Sequence, residues 1–188
     1  ETLILTLTDF TRDATLSQIG MQRSAPPYFI CKAFHQNLFK KGGPFMELRT
    51  KLLSALNKVF LDEEPTADYH PAGVWGNERF SFQLAWNCPD GLPMRDDWLL
   101  ARISPAYKDH VTLYQVEHVP CRTPCLPDAD DDVLRRRPGL FPDALLPCPD
   151  GRIYAVDGQW NTLWFEVDPA ALAPGQHRVE VSLEAPDG

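Results

Sequence analysis

The chain has 188 residues, 44% of them hydrophobic and 23% charged, and its 26 acidic against 18 basic side chains leave a formal net charge of -8. That length allows one domain of roughly 100–150 residues and a short appendage. The composition is globular rather than disordered or fibrous, and the charge argues against phosphate backbones and anionic lipid headgroups as partners.

Eighteen prolines against eleven glycines favour many short elements, because proline interrupts helices and central strands alike. Residues 1–45 have no sustained period of 2 or 3.6. Leu3-Ile-Leu-Thr-Leu7 is compatible with a strand, but Ala25-Pro-Pro27 and Lys40-Lys-Gly-Gly-Pro44 cut the rest of the segment into short pieces. The segment is left unassigned, with two readings. It is a disordered terminus, or it is translated leader, since the codons behind Lys41-Gly-Gly43 can spell a purine-rich ribosome-binding sequence just upstream of Met46. Residues 1–10 do not resemble a signal peptide, and no segment approaches the roughly 20 apolar residues that cross a bilayer. Five cysteines, an odd number, do not indicate secretion. The expected setting is cytoplasmic, with neither nucleic acid nor membrane as a partner.

From Met46 the pattern improves. Leu48, Leu52, Leu53, Leu56, Val59 and Phe60 recur at spacings of three and four, which taken alone predicts an amphipathic helix. Asp62-Glu-Glu-Pro65 ends that element, and 69–73 reads as a loop. The clearest strand is Glu78-Arg-Phe-Ser-Phe-Gln-Leu-Ala-Trp86, with Phe80, Phe82, Leu84 and Trp86 facing a core and the other face wet or lightly covered. Cys88-Pro-Asp-Gly91 is a turn, and strands are predicted at 98–103 and 110–119, the latter central or bulged. Residues 120–150 hold seven prolines and read as one long irregular excursion centred on Pro138-Gly-Leu-Phe-Pro-Asp143. The acidic run 128–132 and Arg135-Arg-Arg137 within it read as solvated loop. Strands return at 153–156, at 160–167 and at 177–183, the last alternating Val179, Val181 and Leu183 against polar neighbours. Short alternating strands between proline and glycine turns predict an all-β fold, a two-layer antiparallel sandwich of immunoglobulin-like type with one long Pro-rich loop, occupying residues 46–188.

Four segments carry a resemblance. Lys51-Leu-Leu-Ser-Ala-Leu-Asn-Lys-Val-Phe60, Asn77-Glu-Arg-Phe-Ser-Phe-Gln-Leu-Ala85, Pro138-Gly-Leu-Phe-Pro-Asp-Ala-Leu-Leu146 and Gly158-Gln-Trp-Asn-Thr-Leu-Trp164, in that order, resemble the N-terminal domain of glycoside hydrolase family 123-like proteins. The resemblance implies a β-sandwich ahead of a TIM-barrel that acts on β-linked N-acetylgalactosamine. It also implies that 51–60 begins as an extended strand, against the helical spacing, and the strand is the reading adopted because the neighbouring Pro- and Gly-bounded segments are strands. The family's Asp-Glu pair belongs to the barrel, so no catalytic residue is carried over, and the implied partner is a barrel of the same protein.

The remaining chemistry is sparse. His118, Cys121, Cys125 and Cys148 offer zinc-type donors, but the second close pair of a zinc site is missing, so no metal and no cofactor is expected. Asp157, Glu166 and Asp168 are the nearest approach to the paired carboxylates of a glycosidase, but the structural reading is preferred, with Glu166 on a strand and the two aspartates at its flanking turns. There is no Gly-x-Ser-x-Gly elbow, phosphate-binding glycine loop or His-Glu-x-x-His. Trp160 and Trp164 lie opposite Leu163, Phe165 and Val167 on one predicted strand, and two indoles there need a cover. They are the candidates for a partner-facing or glycan-facing surface, unless the 120–150 excursion folds back over them.

Overall fold

The computed structural model describes residues 2–8, 30–33, 48–66, 74, 78–89, 98–125, 133–154, 156–173 and 176–184. The loop expected at 69–73, Met46 with its purine-rich leader, and the acidic run 128–132 lie outside them. The described elements are strands β1 (Thr2–Thr8), β2 (Ile30–Ala33), β3 (Arg49–Ser54), β4 (Phe80–Asn87), β5 (Trp98–Ile103), β6 (Val111–Cys121), β7 (Gly139–Pro147), β8 (Arg152–Tyr154), β9 (Asn161–Val167) and β10 (Gln176–Glu184), with a short 3₁₀ turn at Pro105–Tyr107.

The strands form two five-stranded sheets, in the orders β2-β1-β10-β5-β8 and β3-β4-β9-β6-β7, and every pairing is antiparallel. The first is called sheet one and the second sheet two. Within residues 1–45, both described stretches belong to sheet one, and β1 takes in the predicted strand Leu3–Leu7. Period-2 alternation turns one face of each sheet toward the other. Phe82, Leu84, Trp86, Leu113, Leu163, Phe165 and Val167 from sheet two meet Leu99, Ala101, Ile153, Val179, Val181 and Leu183 from sheet one in a single core. Phe82 and Phe165, partners in the β4–β9 register, stack with ring centroids 4.8 Å apart. The fold is therefore a two-layer antiparallel β-sandwich, as the alternation predicted.

Three local readings are decided by the structure. The 51–60 stretch is not helical: β3 is extended and pairs with β4, as the family resemblance implied. Its spacing of three and four comes from a strand that alternates and then a turn that crosses the sheet. Leu48 and Leu52 face the inter-sheet core, Leu53 and Val59 pack on the opposite face of sheet two, and Leu56 stays 91% exposed at the turn between them. Secondly, that opposite face is not wet, because in β4 Gln83 is 3% and Ala85 0% exposed. Thirdly, the Pro-rich stretch is not one loop. β6 runs on to Cys121, and β7 occupies most of the expected centre of the excursion. Proline is tolerated there because β7 is the edge of sheet two and need not donate on both sides. A register shift between Glu117 and His118 matches the bulge expected in this strand.

Candidate functional site

Part of the side of sheet two that faces away from the core, around Leu53, Ala85 and Trp160, is covered by a strap, residues 55–66, tied down mainly by named side chains. The Gln83 amide, on β4, donates toward the carbonyls of Ser54 (3.0 Å), Ala55 (3.2 Å) and Asn57 (2.8 Å), which fixes the turn leaving β3. Val59 and Leu53 then pack on Ala85 and Trp160, and a ring nitrogen of His118 lies 3.0 Å from the Val59 carbonyl. Phe60 meets the edge of Phe141, with centroids 5.6 Å apart, and the Arg135 guanidinium lies 3.8 Å over its ring. Arg135 also bonds Asp62 at 2.7 Å and Glu63 at 3.3 Å. At the far end, Lys51 holds Glu64 at 2.6 Å and the Pro65 carbonyl at 2.7 Å.

Electrostatics follows these ties. The hydrogen bond from Arg135 holds the Asp62 carboxyl below its ordinary range, and that from Lys51 does the same for Glu64. Arg135, read from sequence as part of a solvated basic cluster, has a side chain only 16% exposed. Its aromatic and acidic partners come from a segment more than 70 residues away, so nothing local announced them.

Trp160 lies beneath this strap and is 6% exposed. The turn before it is folded by the Asn161 amide, whose oxygen accepts from Val156 N–H (3.2 Å) and whose nitrogen donates to the Gln159 carbonyl (3.0 Å). Trp160 N–H then donates to the Leu61 carbonyl at 3.0 Å, and Lys51 Nζ stands 5.8 Å from the indole centroid. Trp164, further along the strand, sits between Gln83 on β4 and Tyr114 on β6 and is half-buried. The two indoles are therefore unlike. The cover comes mainly from 55–66, with Phe141 and Arg135 of the Pro-rich stretch as its flank.

Asp157 does not converge with the other two candidate carboxylates. Asp157 lies in the turn before β9 and Asp168 just after it; seven strand residues at ~3.3 Å each separate them by roughly 23 Å, well beyond the ~5–10 Å of a glycosidase pair. Glu166 and Asp168 share Arg79, at 2.7 and 3.8 Å, and Asp168 also caps the following turn by accepting from Ala170 N–H at 3.0 Å. The zinc-type donors are dispersed as well. His118 is engaged with the strap, and Cys148 is buried beside Leu113, to whose carbonyl its N–H donates at 2.9 Å. Among the described residues no three His, Cys, Asp or Glu side chains gather as a metal site. Burial raises the Cys148 thiol, and it pushes the Cys88 thiol up to about 12 with the neighbouring Asp157 carboxylate adding to the effect, so neither is a ready thiolate.

Two depressions are formed by described residues. The larger, 910 Å³, opens beside β5 and is lined by Leu100, Arg102, Asp150, Glu180 and Ser182 among others. The smaller, 360 Å³, lies at the Arg135 end of the strap, against Asp62, Arg137 and Gln159. None of Trp160, Trp164, Glu166 or Asp168 lines either one.

Fold and surface together define a two-sheet β-sandwich whose aromatic face is partly covered by its own strap. No protein-family model matches the chain, and no curated protein matches it. Among the described residues no helix is long and apolar enough to cross a membrane.

Proposed function

We propose that the chain is a non-catalytic, immunoglobulin-like β-sandwich domain of a glycoside hydrolase family 123-like protein, supporting a TIM-barrel that acts on β-linked N-acetylhexosamine glycans. The observation that carries the non-catalytic part is the fate of the acids: Glu166 and Asp168 are tied to one guanidinium on the outer face of a packed strand, and Asp157 stands at the other end of that strand. The family part is supported by the order of the four resembling segments, all of which lie largely in the strands and strap of sheet two. The free thiols Cys88, Cys121, Cys125 and Cys148 accord with a reducing, cytoplasmic setting.

The purified 188-residue chain is expected to release no chromophore from an aryl β-N-acetylgalactosaminide. Turnover that disappears in Glu166→Gln would overturn the non-catalytic reading. Reading the gene beyond the codon for Gly188 tests the other half, with an in-frame barrel carrying an adjacent Asp-Glu pair as the expected result and a stop codon there as the refutation.

A second reading, an independent carbohydrate-binding or adhesion module, requires an aromatic platform other than Trp160, and the pairing of Trp98 with Tyr154 across β5 and β8 supports it.

A further inference from the structure

We propose that the outer face of sheet one, at its β5–β8 edge, is a glycan-binding platform built from Trp98, Tyr154 and Arg152. Leu99 and Ile153, paired in register, are both 0% exposed and face the core. Their neighbours Trp98 and Tyr154, also directly paired, consequently share the opposite face, and so does Arg152, opposite Leu100. Sequence periodicity did not find this pair, because β8 is only three residues long and its partner lies some fifty residues earlier.

The group is held for binding rather than for packing. Tyr154 is 59% exposed, yet its backbone is gripped on both sides by one side chain: Gln115 Oε1 accepts from Tyr154 N–H at 2.8 Å, and Gln115 Nε2 donates to the Tyr154 carbonyl at 3.2 Å. This clamp ties the edge of sheet one to β6 of sheet two. The Arg152 guanidinium lies 4.9 Å over the Trp98 ring, which orients both the cation and the indole. An aromatic face presented on a fixed backbone loses little conformational freedom when a ligand stacks on it.

The chemistry of the rim selects the ligand. Arg152 is paired with Asp150 at 3.6 Å, and further along the same face Arg102 is paired with Glu184 at 2.8 Å, while Ser182 donates to the same carboxylate at 2.9 Å. These cations and anions are paired with one another, and with Glu180 also on this face the surface offers hydrogen-bond donors and acceptors without a cationic field, on a chain whose overall charge is -8. A pyranose matches that surface: its axial C–H face stacks on an aromatic ring, and its rim of hydroxyls or acetamides meets guanidinium and carboxylate groups. Polyanions lack a cationic field there. Trp98, Arg152 and Tyr154 do not line the 910 Å³ cleft, but the rim residues Arg102, Asp150 and Ser182 do, and its size is that of ordinary ligand sites. It gives an oligosaccharide room to continue past the aromatic pair.

The site uses none of the residues invoked for the accessory role, and its test needs neither a barrel nor turnover, so the two proposals fail separately. The probes are neutral hexasaccharides of glucose, xylose and N-acetylglucosamine, with free N-acetylgalactosamine, titrated into the full 188-residue chain by calorimetry and tryptophan fluorescence. The expected result is saturable binding of at least one probe, weakened about tenfold by Tyr154→Ala, as the loss of one aromatic contact worth ~1.4 kcal/mol gives. Arg152→Gln is expected to weaken binding likewise, Tyr154→Phe to retain it, and Trp164→Ala to leave it unchanged. Tyr154→Ala removes an exposed ring, and its circular dichroism and melting profile are expected to match the parent chain. The proposal is overturned if no probe binds at millimolar concentration, or if binding survives both Tyr154→Ala and Arg152→Gln. It is equally overturned if the parent chain self-associates in sedimentation without binding a sugar and Tyr154→Ala makes it monomeric, because the face is then a protein interface.

Discussion

Replacing Trp160 by alanine tests whether the strap is a structural cover. A tryptophan buries about 150–250 Å², and Trp160 is 6% exposed, so ~200 Å² at ~25 cal/mol per Å² corresponds to about 5 kcal/mol. A denatured chain that already hides part of that area lowers the figure by ~10–40%, to roughly 3–4.5 kcal/mol, the range observed when large aromatic core residues are truncated. The contact with Lys51 at 5.8 Å adds little, since that side chain is 34% exposed. For a domain of this size, ~2–4 °C per kcal/mol makes the melting temperature fall by roughly 6–18 °C. Trp164→Ala, at a half-buried position, is expected to cost about half as much. Thermal unfolding by circular dichroism and urea titration on both variants measures the difference. If Trp160→Ala lost under about 1 kcal/mol while Trp164→Ala lost more, the assignment of Trp160 to a buried cluster would be refuted.

Gln83→Leu keeps the volume but removes the amide that reaches the Ser54 carbonyl at the end of β3 and the strap carbonyls of Ala55 and Asn57. A buried acceptor left without a donor costs ~1–3 kcal/mol, so a loss of about 2–4 kcal/mol is expected, together with faster backbone hydrogen exchange confined to 54–61. Gly151→Ala drives a Cβ into the Ala101 carbonyl oxygen at a residue with φ +75°, where even an unobstructed side chain is strained by ~1–3 kcal/mol. Urea unfolding is expected to show at least that loss, and an unchanged midpoint would contradict the described turn. The Cys88 thiol provides a pH test. Its folded pKa lies above the unfolded value, near 12 against 9.0, so the native state holds a proton that the unfolded chain gives up, and stability falls as pH rises through that window. The slope is about 1.4 kcal/mol per pH unit for this one group. Comparing urea midpoints of Cys88→Ala and the parent chain at pH 8, 9 and 10 isolates it from other titrating groups, and parallel profiles would rule the mechanism out.

Much of the sandwich was legible in the amino-acid order because an antiparallel strand writes its burial locally. Phe80, Phe82, Leu84 and Trp86, and later Val179, Val181 and Leu183, announced both the strands and their inward faces; β5 lies where its apolar run predicted. Where one short stretch serves two surfaces, the same logic failed. Leu48 to Phe60 gives helical spacing, although two of its leucines face the core and its Leu53 and Val59 face the strap cluster on the other side of one sheet. The Pro-rich stretch misled for a related reason, since proline is excluded from central strands but not from an edge, and edge position is a property of the assembled sheet.

The class of fold and the alternation of most strands depend on neighbours along the chain and are written in the amino-acid order. Which aromatic residues are open depends on how distant segments pack. Trp160 and Trp164 share a strand and a face, yet one is closed by a strap from residues 55–66 and the other is half-buried. Trp98 and Tyr154, far apart in the chain, are brought side by side by the β5–β8 register. Exposure is a relation between distant segments, and no local period encodes it.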